Sequence, residues 1–115
     1  MSERASGSSA QPGTSVLDVP ERSRFEIHTG GKPAGFVAYR ARPGEITFTH
    51  TEIDDAFGGR GLGGALARAA LDAARSRGLA VLPECPFVRS WIAKHPDYVD
   101  LVPVEQRERL GLGRL

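Results

Sequence analysis

Residues 53–66 read IDDAFGGRGLGGAL, and the parsing of the whole chain turns on this stretch. Five of the seven residues 58–64 are glycine. Glycines let the backbone approach a ligand closely and take conformations closed to other residues. A helical pattern starts inside the run, where unpaired N–H groups and the positive end of the helix dipole converge. Such a helix start binds phosphate through backbone alone. The plainer reading is a tight, glycine-rich turn that serves packing. A strand leading in and a strong helix leading out favour the phosphate site.

Upstream, the pattern has a period of two. Residues 22–29 end in RFEIHT, with Phe25 and Ile27 on one face. The reversal Gly30-Gly31-Lys32-Pro33 leads to a second strand at 34–41, with Phe36, Ala38 and Arg40 on one face and Val37 and Tyr39 on the other. After Arg42-Pro43-Gly44, residues 45–53 (EITFTHTEI) are a third strand, rich in β-branched and aromatic residues. Short links predict an antiparallel meander. Downstream, Leu62, Ala65, Leu66, Ala69, Ala70 and Ala73 repeat at helical spacing. Arg68, Asp72 and Arg75 lie opposite, spaced for ion pairs along the helix. Gly78 ends that helix, 80–82 is a short buried strand, and 87–95 is a second helix stopped by Pro96. A last short helix falls near 104–110. The expected fold is α/β in the α+β sense: a compact three-strand antiparallel meander, a β-α-β crossover with parallel strands, and a short C-terminal helix.

Residues 1–20, rich in Ser, Gly, Pro and Ala, offer little to bury and read as a disordered N-terminal tail, leaving 21–115 as one domain. Neither a signal peptide nor a membrane anchor is expected, because no long apolar run occurs. A net charge of +1 gives no reason to expect nucleic acid or an anionic membrane as partner. The single cysteine, Cys85, excludes an internal disulfide and a multi-cysteine metal site, so no metal is expected and a cytoplasmic location is.

Gly59, Gly61 and Gly64 formally satisfy G-x-G-x-x-G, with Glu84 about twenty residues on. A dinucleotide fold is disfavoured, since the loop follows a meander, residues 54–57 separate strand from glycines, and only one crossover fits. A P-loop is excluded because no Lys-Ser or Lys-Thr pair closes the run.

The stretch 53–66 resembles motif A of the GNAT acetyltransferase superfamily: a strand ending in an aliphatic residue, a short loop, then (Gln/Arg)-x-x-Gly-x-(Gly/Ala) with Leu three residues later. Ile53, Gly61, Gly63 and Leu66 match, while Gly58 stands at the Gln/Arg position. The wider pattern is similar to short single-domain GNAT-like N-acetyltransferases with a strand-end His-Thr-Glu (residues 50–52) and a Cys-Pro-Phe (residues 85–87), over about residues 22–102. The resemblance implies a GNAT-like fold and acetyl-CoA as co-substrate. The third and fourth strands would splay, Thr51 to Ile53 would pair with the pantetheine amides, and Gly58, Gly59, Arg60, Gly61, Leu62, Gly63 and Gly64 would form the pyrophosphate loop.

Acetyl transfer to an amine needs a neutral amine, a polarised thioester and a protonated leaving thiolate. His50 and Glu52, two apart on a strand, share a face and are candidate bases; a hydrogen-bonded buried His and a solvated Glu are the plain alternative. Cys85, between Pro83 and Pro86 at a helix start, is a candidate nucleophile or proton donor, against the plain reading of a small buried hydrophobe. His28 reads as structural. Ile92 stands where many GNAT enzymes carry a tyrosine acid, and Tyr98 substitutes only if the chain folds back. Arg89 and Lys94 read as surface cations rather than phosphate ligands. The function that follows is acetyl-CoA-dependent N-acetyltransfer to a small or protein amine, with a non-catalytic CoA or acyl-CoA-binding module as the alternative.

Overall fold

The computed structural model describes residues 13–58 and 61–113. Five strands form one sheet in sequence order: β1 (Thr14–Val19), β2 (Arg24–Thr29), β3 (Lys32–Arg42), β4 (Glu45–Ile53) and β5 (Ala80–Pro83). The first four are antiparallel, and β5 joins β4 in parallel through α1 (Leu62–Ser76). After β5 come α2 (Pro86–Lys94), a 3-10 turn at Pro96–Leu101 and α3 (Val104–Arg107). This is the expected meander and crossover with one strand added at the front.

That strand corrects the expected boundary. Residues 14–19 were expected in the tail, yet they pair along the full length of β2. The reason is local: Thr14 is buried against Thr29, and Asp18 accepts a hydrogen bond from the Tyr39 hydroxyl at 2.6 Å while pairing with Arg77 at 2.9 Å. Partners supplied by distant elements outweigh weak local hydrophobicity. The part of the expected tail before residue 13 lies outside the described residues.

One continuous core joins sheet and helices. Phe25, Ile27, Val37, Ile46, Phe48 and Val81 face Leu62, Leu66, Ala67, Ala70, Leu71 and Ala74 of α1. Each large side chain removed from water there contributes roughly 1.5–3 kcal/mol. The buried stripe is thus rotated from the expected one: Ala67, Leu71 and Ala74 are in, while Ala65 and Ala73 sit at its edge. The polar side of α1 also differs. Arg75 reaches Asp100 (2.9 Å) and the Asp97 carbonyl (3.0 Å), and Arg68 and Asp72 hold Tyr98, so these residues tie down the 3-10 turn. The Arg75 guanidinium keeps the Asp100 carboxyl below its ordinary range.

The other sheet face is polar and carries Arg24, Glu26, His28, Phe36, His50 and Glu52. Glu26 binds both His28 (3.0 Å) and Arg24 (2.8 Å), which lower its pKa.

Candidate active site

β4 changes character halfway along. From Glu45 to Phe48 it is hydrogen-bonded on both sides, with Phe48 opposite both Tyr39 and Pro83. The Cys85 N–H then donates to the Phe48 carbonyl at 2.9 Å, and the contact with β5 ends. Residues 49–53 continue along β3 alone. The cause is a bulge: Ala38 pairs with His50 but Tyr39 with Phe48, so Thr49 is an extra residue. Bulges bend the strand and sharpen its twist. This one sits where β4 and β5 part. Beyond it, the Asp54 N–H donates to the Ala34 carbonyl on the β3 side. Strand alternation then turns the peptide groups of Thr51 and Ile53 toward the opening.

The bulge also sorts the side chains. Simple alternation would place His50 and Glu52 on the buried face of Ile46 and Phe48. The extra residue moves them to the polar face, where His50 Nε2 lies 2.8 Å from Glu52 Oε2 and both side chains are more than half exposed. Phe36 lies beside the His50 ring. Thr51 faces the helices instead, with its hydroxyl 3.2 Å from the Cys85 thiol. The three expected catalytic residues therefore split: His50 and Glu52 form a pair on one face of β4, and Cys85 meets Thr51 on the other. Cys85 is 2% exposed and sits at the N-cap of α2. Its loop is held from two sides. Arg89 donates to the Pro83 and Glu84 carbonyls, and Arg109 forms a two-pronged pair with the Glu84 carboxylate, lowering its pKa. Arg89 is thus an internal clamp rather than a surface cation.

The glycine loop lies at the far end of β4. The Asp54 carboxylate caps a 3-10 turn at Asp55–Phe57 by accepting the Ala56 N–H at 2.9 Å, and Gly58 follows. Gly59 and Arg60, both expected in the loop, lie outside the described residues. Gly61, at φ 72°, occupies the left-handed region that favours glycine and turns the chain into α1. The Ala65 N–H bonds to the Gly61 carbonyl at 3.2 Å, which leaves the N–H groups of Leu62, Gly63 and Gly64 ahead of the helical ladder. Leu62 itself is a core residue, 2% exposed, so it offers the loop only its amide. Two glycines have a packing duty as well. A Cβ at Gly63 would stand 2.8 Å from the tip of Phe87, and one at Gly64 would stand 3.4 Å from Trp91 Nε1. The first turns of α1 and α2 thus lie together, with the glycine-led helix start and the Cys85 loop at the same end.

Tyr98 does not take the place of a tyrosine acid. Its hydroxyl donates to Asp72 (2.8 Å), accepts from Arg68 (3.1 Å), and has its pKa raised by burial and by Asp72. Ile92 is fully buried in the core. Sequence reasoning passed over Gly35, where a Cβ would lie 2.5 Å from the Glu52 carbonyl oxygen and 2.6 Å from Ile53 Cδ1. It lets β3 support the open half of β4; only an isolated glycine within a strand pattern hinted at this.

A mixed sheet whose parallel pair parts beside a glycine-opened helix defines a compact α+β domain. Residues 24–101, more than half of the chain, match the family model of the GCN5-related N-acetyltransferases, and the chain belongs to that family. A GCN5-like protein of Staphylococcus aureus, solved by solution NMR, superimposes with a TM-score of 0.61 at 24% identity, covering 81% of this chain and 91% of that one. Ard1 from Thermoplasma volcanium is similar at 25% identity and a TM-score of 0.45, over 54% of this chain and 42% of its own. Among curated proteins, none matches the chain.

Proposed function

We propose that this acetyltransferase-family domain uses acetyl-CoA to acetylate an amine, either a small molecule or an amine borne by a protein. The observation that carries the reading is the pairing of an open half-strand with the glycine-led start of α1. The N–H groups of Leu62, Gly63 and Gly64 suit a pyrophosphate. The outward peptide groups of Thr51 and Ile53 suit the amides of a pantetheine arm laid alongside as an added strand. The thioester then falls near the point where β4 leaves β5.

In direct transfer, the amine nitrogen attacks the thioester carbonyl, the C–N bond forms, and the C–S bond breaks. The amine gives up a proton and the departing thiolate takes one. The exposed His50–Glu52 pair is the candidate acceptor of the first proton, through water. Cys85 is the candidate donor of the second; in an acyl-cysteine route it would instead carry the acetyl group. The alternative, a module that holds acyl-CoA without turnover, is favoured by one observation: Tyr98 is engaged by Arg68 and Asp72, and Ile92 is in the core.

Saturating acetyl-CoA at about a hundred times its Kd should add about 2.7 kcal/mol of stability. Gly61→Val, placing a β-branched residue at positive φ, should abolish the shift; no shift in the wild type sinks the reading. Mass spectrometry of amines and peptides incubated with acetyl-CoA separates enzyme from module. Loss of turnover in both Cys85→Ala and Cys85→Ser, with an acetyl adduct on the wild type, supports the acyl-cysteine route. Lowered turnover without an adduct supports proton donation. Full activity in Cys85→Ala makes the thiol packing alone.

A further inference from the structure

Trp91 is the chain's single tryptophan and is only 8% exposed. Its indole is a hydrogen-bond donor with no acceptor capacity, and a buried indole N–H ordinarily finds a partner. Here the ring makes ring contacts. It stacks on His95 with centroids 3.7 Å apart, meets Tyr98 edge-on, and lies under the Arg68 guanidinium at 5.2 Å. Among the described residues, no oxygen accepts from its Nε1–H.

The nitrogen is also the indole atom nearest the place of a Gly64 Cβ, in the first turn of α1. It stands 3.4 Å from the place of a Gly64 Cβ, against 4.0 Å for Cδ1. A Cβ at 64 would touch that nitrogen, so the indole N–H edge lies beside this turn. That turn holds the N–H groups of Leu62, Gly63 and Gly64, and the Arg68 guanidinium adds positive charge one turn further on. An indole N–H beside backbone donors at the positive end of a helix calls for an oxygen anion.

We propose that Trp91 Nε1–H is a side-chain donor to a phosphate oxygen of the ligand held on the first turn of α1. The proposal rests on the acetyl-CoA reading and adds a binding residue from α2 to a site otherwise built of α1 backbone. The stack on His95 and the contacts with Tyr98 and Arg68 hold the ring in place, so the donor is oriented before the ligand arrives.

Because the chain has one tryptophan, its ¹H–¹⁵N spectrum has a single indole resonance. CoA should move that proton downfield together with the Gly63 and Gly64 amides. Inorganic pyrophosphate should do the same at higher concentration, and pantetheine, which lacks phosphate, should leave it in place. Trp91→Phe keeps an aromatic ring but loses the N–H. It should weaken CoA binding about tenfold, as expected for one hydrogen bond to a charged group, and leave pantetheine binding unchanged. The wild-type spectrum serves as the test even if that variant folds poorly. The proposal is overturned if the Gly63 and Gly64 amides move with CoA while the indole proton does not, or if folded Trp91→Phe binds CoA as tightly as the wild type. If neither the amides nor the indole respond to CoA, the acetyl-CoA reading itself fails and this proposal falls with it.

Discussion

The two halves of β4 share a strand and divide its duties. Residues 45–48 have neighbours on both sides, and Ile46 and Phe48 are sealed in the core. Residues 49–53 have β3 on one side only, with His50 and Glu52 out in solvent. The first half contributes apolar burial and a complete ladder. The second gives up part of both, and among the described residues its outward peptide groups have no strand partner. The closed half and the half proposed to bind are thus separated by one residue, Thr49.

The largest expected effect is in the closed half. Phe48→Ala should cost about 3–5 kcal/mol, the range for deleting a buried aromatic side chain, read from denaturant unfolding. A loss below about 1 kcal/mol would show that the closed half is not the anchor. Next comes Gly35→Ala, which drives a Cβ into the Glu52 carbonyl and Ile53. Backbone cannot swing aside, so about 1–3 kcal/mol should be lost, along with acetyl-CoA affinity. Gly63→Ala is the control: it meets the tip of Phe87, a ring 41% exposed and free to move, and should melt within about 1 kcal/mol of wild type.

Alkali separates the halves differently. Tyr39, opposite Phe48, is pushed from 10.0 to about 12 by burial and by its bond to Asp18. The folded state favours the neutral phenol, so this contribution is full below pH 10 and is lost as pH rises through about 12. Urea melts from pH 9 upward should show a decline that is shallower in Tyr39→Phe, where the raised pKa of Tyr98 alone among the tyrosines still contributes; parallel slopes would refute the assignment. The smallest effect belongs to Thr51→Val, which removes one hydrogen bond to Cys85. It should change stability by no more than about 1 kcal/mol, and a larger loss would place the open half within the structural core.

Much of this was legible in the chain. Alternation in RFEIHT and the glycine run before an alanine-rich helix gave the meander and the crossover, because local pattern and tertiary burial agree there. Three things were not. β1 is held by Tyr39, Arg77 and Thr29, residues far along the chain. Simple alternation along EITFTHTEI puts His50 beside Phe48, and nothing in those letters announces a bulge. The packing of Gly35 and the surroundings of Trp91 depend on what lies opposite, which composition and period do not encode.

The Thr49 bulge has a consequence for the reading frame of the strand. Most single-residue deletions in β4 would exchange core and surface for every residue beyond the cut. Thr49 is different, because it is already surplus to the pairing: without it Phe48 still faces inward, His50 outward and Thr51 inward. Its excision would leave each side chain on its own face and give β4 a regular edge for β5 to follow. The wedge between the two strands is therefore encoded by one codon that could be lost without scrambling the sheet.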